Sequence, residues 1–379
     1  MARITLEHVT KTFGSTTALN DIDLDVHDKE FFVLFGPAGA GKTTMLKTIA
    51  GVEFPDRGLV RIDDRIVNLV DPSERNVSMV FENYALYPHM TVFDNIASPM
   101  RSPLHRRDEE HITREVARVA DLMGIDALLN RLPSQLSNGQ RQRTALGRCL
   151  VRKPTVFLMD EPLAHLDAKL RHLMRTELKA MQSQFDTTTI YVTHDYMEAL
   201  SLGDRIAILN NGRFEQIGTG DEIYYTPVSE FVARLVGEPE INIVDAQVTS
   251  GSGGKPAIAI ASGGERRLFP IPDDVAPTLD GERNVRMGIR GINLSYRFDP
   301  ADGYMPGTVY NLEPIGNKSI LTIKIDDTTY QAVAPNDLDV ELDSPVFIRP
   351  DPGAMLFFRK SDGVFLARHD QRHFLGENN

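Results

Sequence analysis

Cysteine is almost absent from this sequence, which carries one, Cys149, among 379 residues. A single cysteine cannot form an internal disulfide, so the chain fits a reducing compartment such as the cytoplasm. Long apolar runs are absent too, and the first residues, MARITLEHVT, lack the apolar core of a signal peptide. We therefore expect a protein that is cytosolic or is held at a membrane only through partners.

Basic residues are in deficit, since 41 Lys and Arg face 53 Asp and Glu and leave a formal charge of −12. This balance argues against a partner recognised through its phosphates, so no nucleic-acid partner is expected. The length of 379 residues exceeds what one hydrophobic core usually organises. Two domains are therefore expected.

The most informative segment is 31–44, FFVLFGPAGAGKTT. Its five apolar residues predict a buried parallel strand that leads into a glycine-rich turn and a helix. Such a turn brings backbone N–H groups against phosphate oxygens, Lys42 reaches the β- and γ-phosphates, and the Thr43 hydroxyl ligates Mg²⁺. The residues expected to hold a nucleotide here are Gly36, Pro37, Ala38, Gly39, Ala40, Gly41, Lys42, Thr43 and Thr44.

Further apolar strands are predicted at 77–81, 155–159 and 187–192, with helical patterns between them, including an amphipathic helix over 109–130. This alternation indicates a parallel sheet whose functional groups lie at the carboxyl ends of the strands. One strand ends in Asp160-Glu161 and another in Thr193-His194. A buried, ionised acid at such a position needs a cation, so the acidic pair is a candidate site.

Two other segments suggest binding surfaces. The loop 82–90 is unusually apolar and aromatic for a connection. Ser137, Asn138, Gly139 and Gln140 begin a helix, where they are placed to receive an anion, although Ser137 is equally suited to capping its own helix. Phe13, at the tip of a predicted turn, either stacks on an adenine or plugs the turn from below.

Composition changes after residue 236, where short strands alternate with Gly, Asp and Pro turns. The predicted strands, at 241–248, 284–289, 319–325, 328–333 and 346–349, favour a small β-barrel or sandwich. We place the domain boundary between residues 236 and 237.

Together these segments resemble the ATPase subunits of ABC transporters over residues 3–236, through KTFG, GPAGAGKTT, YALYPHMTVFDNI, LSNGQRQRTALGR, MDEPLAHLDAKLR and YVTHD. The resemblance is closest to the carbohydrate-importer group typified by the maltose transporter ATPase, and it extends to that group's C-terminal β-domain through MGIRGINL and VYNLEPIGNKSI. It implies an α/β P-loop NTPase (RecA-like) domain over 1–236, with a helical subdomain at about 88–152, followed by an all-β OB/TOBE-like regulatory domain over 237–379.

The resemblance implies roles for individual residues. ATP is bound with Mg²⁺, for which Thr43 and Asp160 are ligands; Glu161 is the general base, and His194 contacts the γ-phosphate and holds Glu161. The segment 137–140 and Asp167 close over the nucleotide of the opposite subunit, so a dimer is implied. Transmembrane permease subunits dock at 84–90, on the cytoplasmic face of the inner membrane, with a solute-binding protein acting indirectly.

Several positions depart from the family pattern. Position 82 is usually Gln and is here Glu82, a carboxylate that accepts but cannot donate hydrogen bonds and that could ligate Mg²⁺. Ala38, Ala40, Asn138 and the pair Ala164-His165 replace other common residues. These departures motivate the hypothesis that the second ATPase subunit is a paralogue rather than an identical chain.

The function expected is ATP hydrolysis that powers uptake of a sugar, a polyol or a related solute such as glycerol or glycerol phosphate. Alternatives are an importer of polyamine, metal or oxyanion, a weakly hydrolysing partner in a heterodimeric ATPase pair, a nucleotide-binding regulatory subunit, and a soluble ABC ATPase of translation or DNA repair.

Overall fold

The structure, a computed structural model, describes residues 2–164 and 166–369, without the side chains of 181–185. It contains two units, Met1–Gly220 and Asp221–Asn379. The second unit therefore begins earlier than the expected domain boundary at residues 236 and 237, because two short helices before that boundary pack with the β-rich part. The boundary of the sequence domains remains a prediction.

The first unit alternates strands and helices, as the sequence pattern predicts. In chain order its elements are β1 Ile4–Phe13, β2 Thr16–Val26, β3 Phe31–Phe35, α1 Lys42–Ala50, β4 Arg57–Ile62, β5 Arg65–Ile66, β6 Val77–Val80, α2 Val92–Arg101, α3 Glu109–Met123, α4 Asn138–Leu150, β7 Val156–Asp160, α5 Ala168–Phe185, β8 Thr188–Thr193, α6 Tyr196–Leu202, β9 Arg205–Asn210 and β10 Arg213–Gly218.

The central sheet of this unit has the strand order β10-β9-β3-β8-β7-β6. Its strands are parallel except for β10, and β3, β7 and β8 are buried along their whole length. Burial on both faces explains why β3 and β7 appear in the sequence as apolar runs, whereas β8, TTIYVT, consists of β-branched and aromatic residues. The register pairs Phe35 with Thr193 and Asp160 with Val192, so the three strands end together.

A smaller antiparallel sheet, ordered β2-β1-β4-β5, shares one hydrophobic core with the central sheet and with α1. Helix α3 is shorter than the amphipathic pattern over 109–130 predicts. It ends at Met123 because Gly124 adopts the left-handed conformation with φ of 61° and caps the helix through bonds to the carbonyls of Ala120 and Asp121.

The second unit is mainly antiparallel β-structure, as predicted. Its elements are α7 Gly220–Tyr225, which begins at the last residue of the first unit, then α8 Glu230–Leu235, β11 Asn242–Ser250, β12 Pro256–Ser262, β13 Glu265–Pro270, β14 Asn284–Ile289, β15 Leu294–Arg297, β16 Met305–Ile315, β17 Lys318–Ile325, β18 Thr328–Pro335, β19 Pro345–Pro350, β20 Leu356–Arg359 and β21 Phe365–Arg368.

These strands form a six-stranded and a five-stranded sheet whose inward side chains make one apolar core. All five strands predicted in this region are present, as β11, β14, β17, β18 and β19. Others were missed, among them β13, whose sequence ERRLFP is too polar to suggest a strand. β13 forms because it pairs with β12, although its own sequence pattern does not favour a strand.

Candidate functional site

The turn between β3 and α1 requires glycine at two positions. Gly36 has φ of 154°, and a Cβ placed there would lie 2.2 Å from the backbone oxygen of Leu209. Gly41 has φ of 110°, and its Cβ would lie 2.3 Å from the backbone oxygen of Ala18. Backbone atoms cannot yield as a flexible side chain would, so these two glycines let the loop wrap tightly before α1.

Lys42 folds back into this loop. Its Nζ donates to the carbonyl oxygens of Gly36 and Pro37 at 2.8 and 2.9 Å, and only 7% of the residue is exposed. Burial lowers the pKa of Lys42, while the carboxylates of Glu161, Asp160 and Glu82 act in the opposite direction. The ammonium group is thus held at the loop, with acidic groups close by, where an anion can meet it.

Asp160, the last residue of β7, faces the start of α1. The Thr43 hydroxyl donates to Asp160 Oδ1 at 3.1 Å, and Asp160 is 2% exposed. Burial, assisted by the negative charges of Glu82 and Glu161, raises the pKa of Asp160 to about 6. No Lys or Arg forms an ion pair with this carboxylate within the part of the chain that the structure describes.

The residues at this position fit a magnesium ion. A hydroxyl and a buried carboxylate in contact are hard oxygen ligands, and Mg²⁺ is usually held by one or two such protein groups together with phosphate oxygens and water. The described residues contain no group of three or more His, Cys, Asp or Glu side chains that could hold a metal ion by themselves.

Glu161 follows β7 in a left-handed conformation with φ of 46°, and its N–H donates to Val192 O at 3.0 Å. This conformation turns the side chain from the strand toward the end of β8, where Glu161 Oε2 lies 2.9 Å from His194 Nδ1. The Glu161 side chain is 23% exposed and that of His194 63%. The structure therefore brings together the acid and the histidine that the sequence placed on separate strands.

A buried network behind His194 was not predicted. The hydroxyls of Tyr191 and Thr193 both donate to Glu198 Oε2 at 2.8 Å, and Asp195 N donates to Thr193 Oγ1 at 3.0 Å. Burial raises the pKa of Glu198. The network fixes the turn that carries His194, and nothing in the sequence pattern pointed to Glu198, the third residue of α6, as its acceptor.

Other predicted residues make local hydrogen bonds. Ser137 Oγ accepts from Gln140 N at 3.3 Å while Gln140 Oε1 accepts from Ser137 N at 3.0 Å, which is a capping box on α4. Asp167 Oδ1 accepts from Leu170 N at 2.9 Å. Ser137, Asn138 and Asp167 are exposed. Their contact with a nucleotide of another subunit stays a prediction, and His165 lies outside the described residues.

Phe13 ends β1 with 45% of the residue exposed, and Lys11 Nζ lies 5.1 Å from the centre of its ring. A plug beneath the turn would be buried, so the exposed ring argues against that interpretation, and stacking on an adenine stays a prediction. Glu82 is exposed just after β6, near enough for its charge to act on Asp160 and Lys42.

The apolar loop 84–90 is shaped by two side chains from neighbouring helices. Arg148 donates to the carbonyl oxygens of Tyr84 and Ala85 at 2.9 and 2.8 Å, and both of these residues have positive φ. Asn95, fully buried, accepts from Tyr87 N and donates to the carbonyl oxygens of Tyr87, Met90 and Thr91. A groove of about 760 Å³ runs beneath the loop, and its lining includes Phe81, Ala85 and Tyr87.

Two positioning residues were missed. Arg75 is 5% exposed and donates to the carbonyl oxygens of Thr48 and Ile49, at 3.1 and 2.8 Å, at the end of α1. Its charge complements the negative end of the helix that carries Lys42. Gln142 Nε2 donates to Pro162 O at 2.8 Å and so ties α4 to the turn after Glu161. No sequence pattern predicts that either side chain bonds to the backbone of another segment.

A phosphate-binding loop after a buried parallel strand, beside an acidic strand end and a histidine, defines a P-loop nucleotide hydrolase. Residues 19–164 match the ABC transporter family model. The chain belongs to the family of ATP-binding subunits of ABC importers, and it is an ATPase whose hydrolysis is coupled to transport.

Among the similar curated proteins, the trehalose/maltose import ATP-binding protein of Thermococcus litoralis is 44% identical over 87% of this chain and 90% of its own length. The sn-glycerol-3-phosphate import ATP-binding protein of Rhizobium meliloti is 43% identical over 83% and 90%. The sulfoquinovosyl glycerol transport ATP-binding protein of Agrobacterium fabrum is 40% identical over 94% and 98%.

Solved structures agree on the fold. An ATP-binding cassette solved as a dimer, in a post-hydrolysis state bound to ADP and phosphate, is 30% identical with a TM-score of 0.54, over 57% of this chain and 98% of its own. In the described residues, no helix is long and apolar enough to cross a membrane.

Proposed function

We propose that this chain binds MgATP at the loop 36–44 and hydrolyses it with Glu161 as general base. This hydrolysis powers an importer for a sugar, a polyol or glycerol phosphate. The observation that carries the proposal is the contact of Glu161 with His194 beside the Thr43–Asp160 pair. Catalysis of this kind depends mainly on positioning and on stabilising charge.

In this mechanism Lys42 binds the β- and γ-phosphates and neutralises charge that develops as the bond from the γ-phosphorus to the ADP oxygen breaks. Glu161 orients the attacking water and accepts its proton as the oxygen bonds to phosphorus. His194 holds the Glu161 carboxylate at 2.9 Å and reaches the γ-phosphate. Thr43 and Asp160, with Glu82 as a further candidate, hold Mg²⁺, which supplies Lewis-acid polarisation of the phosphate oxygens.

A second ATPase subunit, identical or a paralogue, completes the site through the segment 137–140 and Asp167. The exposed positions of Ser137, Asn138 and Asp167 support this assembly, because residues that act across an interface stay accessible in the single chain. The dimeric form of the related cassette gives further support. Phe13 stacks on the adenine.

Transmembrane permease subunits dock at the loop 84–90 on the cytoplasmic face of the membrane. The half-buried and exposed apolar side chains of this loop, held from behind by Asn95 and Arg148 above a groove, support a docking surface of fixed shape. A solute-binding protein delivers the solute to those subunits. The solute class follows from the relatives, whose names cover trehalose/maltose, sn-glycerol 3-phosphate and sulfoquinovosyl glycerol.

A second candidate, favoured by Glu82 and Asn138, is a weakly hydrolysing member of a heterodimeric pair. A carboxylate at position 82 adds negative charge near Asp160, as its effect on the pKa of Asp160 shows. Excess negative charge next to a triphosphate opposes the charge that the site must stabilise.

The deciding experiment measures ATPase turnover of the assembled transporter with Glu161→Gln. We expect a loss of about 10²- to 10³-fold, as for removal of a general base, with ATP binding retained. Glu215→Gln, an exposed acid on β10, is the control and should leave turnover unchanged. Near-normal turnover of Glu161→Gln would assign hydrolysis to a partner subunit, and stimulation by one solute class with its binding protein identifies the cargo.

A further inference from the structure

A second concave site lies in the helical part of the first unit, away from the phosphate loop. It is a cavity of about 440 Å³ formed by the end of α2, the loop after it, α3 and the residues that follow α4. Four cationic side chains line it, namely Arg107, Arg118, Arg152 and Lys153. Such a concentration is unexpected in a chain whose formal charge is −12.

The single carboxylate among the lining residues does not neutralise this charge. Glu115 Oε2 is paired with Arg118 Nε at 2.9 Å, and Glu115 Oε1 also lies 3.9 Å from Arg114 Nε. Within the described chain, Arg107, Arg152 and Lys153 have no carboxylate at ion-pair distance. Three cations therefore face the cavity without a balancing anion from the protein.

Arg152 is held in position before any ligand arrives. Its Nη1 donates to Asn76 Oδ1 at 2.9 Å and its Nη2 to Val77 O at 3.1 Å. Burial lowers the pKa of Arg152. The loop that carries Arg107 is anchored to the end of α2, since Arg107 N donates to Met100 O at 2.9 Å. Groups fixed in this way lose little conformational entropy when they bind a ligand.

The pKa of His105 reflects both its burial and the positive charge around it. Burial, together with the positive charges of Arg152 and Arg107, lowers the pKa of His105. A site that disfavours one more proton is a site in which an anion would relieve repulsion.

We propose that this cavity binds the phosphate group of a small phosphorylated metabolite. Guanidinium forks and an ammonium group match the oxygens of a phosphate dianion, and guanidinium pairs with phosphate are often bidentate. The volume of about 440 Å³ lies within the range of small-molecule pockets. A lipid surface would instead be met by a flat, lysine-rich face, whereas here three of the four cations are arginines in a concavity.

The site also adjoins the docking groove, because His105 and Arg152 line both. Through Asn76 and Val77, Arg152 touches the strand β6 that leads to Glu82. A phosphate bound here would therefore contact Arg152, a side chain that is hydrogen-bonded to the strand between the proposed docking loop and the nucleotide site.

The test must separate this cavity from the phosphate loop, which also binds phosphate. We would titrate inorganic phosphate and sn-glycerol 3-phosphate into the full-length Lys42→Ala chain by calorimetry, and repeat this with Arg107→Gln added. The matched control is Arg106→Gln, which removes the same charge from the adjacent, equally exposed residue that does not line the cavity. Lys153→Gln is a second, independent variant.

We expect saturable binding that weakens about tenfold or more with Arg107→Gln or Lys153→Gln, as for loss of a charge-assisted bond, and changes less than about twofold with Arg106→Gln. Absence of saturable binding, or equal weakening by Arg106→Gln, overturns the proposal. Binding to phosphatidylglycerol vesicles that depends on Arg107, without binding of either small phosphate, would replace it with a lipid surface. Capture of an acidic permease segment alone would replace it with a protein contact.

Discussion

Two buried carboxyl groups near the ends of adjacent strands make an instructive comparison. Asp160 ends β7 and Glu198 lies in α6, just after β8, with exposures of 2% and 4%. Burial is the main cause of a raised pKa in both. Asp160 receives one hydroxyl, from Thr43, whereas Glu198 receives two, from Tyr191 and Thr193.

The difference lies in what surrounds each carboxyl group. Glu198 is satisfied within the protein and acts as a structural hub for the turn that carries His194. Asp160 stands near two further carboxylates, Glu82 and Glu161, which also raise its pKa, whereas one carboxylate, that of Asp195, acts in this way on Glu198. A raised pKa alone therefore does not mark a reaction site; it is the position of Asp160 beside the phosphate-binding loop, with two neighbouring carboxylates, that makes it the candidate.

The largest effect that we expect is a loss of ATP hydrolysis in the Asp160→Asn variant. Loss of the charge proposed to balance Mg²⁺ should lower ATPase turnover by about 10²-fold or more, measured on the assembled transporter. Glu198→Gln is the control and should retain most turnover. Equal loss in the two variants would mean that both carboxylates act through folding.

The same Asp160→Asn variant should be more stable without nucleotide. The folded-state pKa of about 6 exceeds the ordinary value of 3.8, so the folded state holds the proton more tightly than the unfolded state. Stability contributed by this group is thus present at low pH and is lost as pH rises through about 6. The neutral amide that replaces the carboxylate removes that penalty.

By calorimetry we expect a gain of about 1–3 kcal/mol in the free energy of unfolding for Asp160→Asn near pH 7.5, and almost none near pH 4. A gain of the same size at both pH values would argue that charge is not the cause.

For Glu198 we expect stability to depend on the hydrogen-bond acceptor and not on the charge. Glu198→Ala leaves the hydroxyls of Tyr191 and Thr193 without their shared acceptor and should cost about 2–4 kcal/mol of stability. Glu198→Gln keeps an acceptor oxygen and should change stability by less than about 1 kcal/mol. Chemical denaturation measures both. Equal costs for the two variants would show that the charge, not the hydrogen bonds, matters.

The smallest effect is expected for Glu82→Gln, which reduces the crowding around Asp160. Removing one negative charge should lower the pKa of Asp160 and raise ATPase turnover by about two- to fivefold. Steady-state turnover of the assembled transporter across pH is the measurement. A fall in turnover would indicate that the Glu82 carboxylate takes part in binding Mg²⁺.

The parallel core was predictable from sequence because strands such as β3 and β7 are buried on both faces and appear as apolar runs. The presence of glycine at Gly36 and Gly41 in the phosphate loop is explained by the lack of space for a side chain at both positions. The pairing of Glu161 with His194 followed from the resemblance and from strand ends meeting at one edge. Arg75 and Glu198 were not predictable, since their partners are backbone or hydroxyl groups brought near only by folding.

The hydrogen bonds of Asn95 hold the backbone of the loop 84–90, and they do not involve the side chains of that loop. One buried amide in α2 satisfies backbone groups of Tyr87, Met90 and Thr91, so much of the path of the loop is fixed through its backbone. Among the displayed side chains, the Tyr87 ring also packs against Arg148, whose guanidinium lies 5.4 Å from the ring centre. The exposed residues Pro88 and His89 make none of these hydrogen bonds, so we expect the course of the loop to tolerate their mutation. Under the proposed docking at this loop, a subunit acquires a new membrane partner by altering surface residues alone.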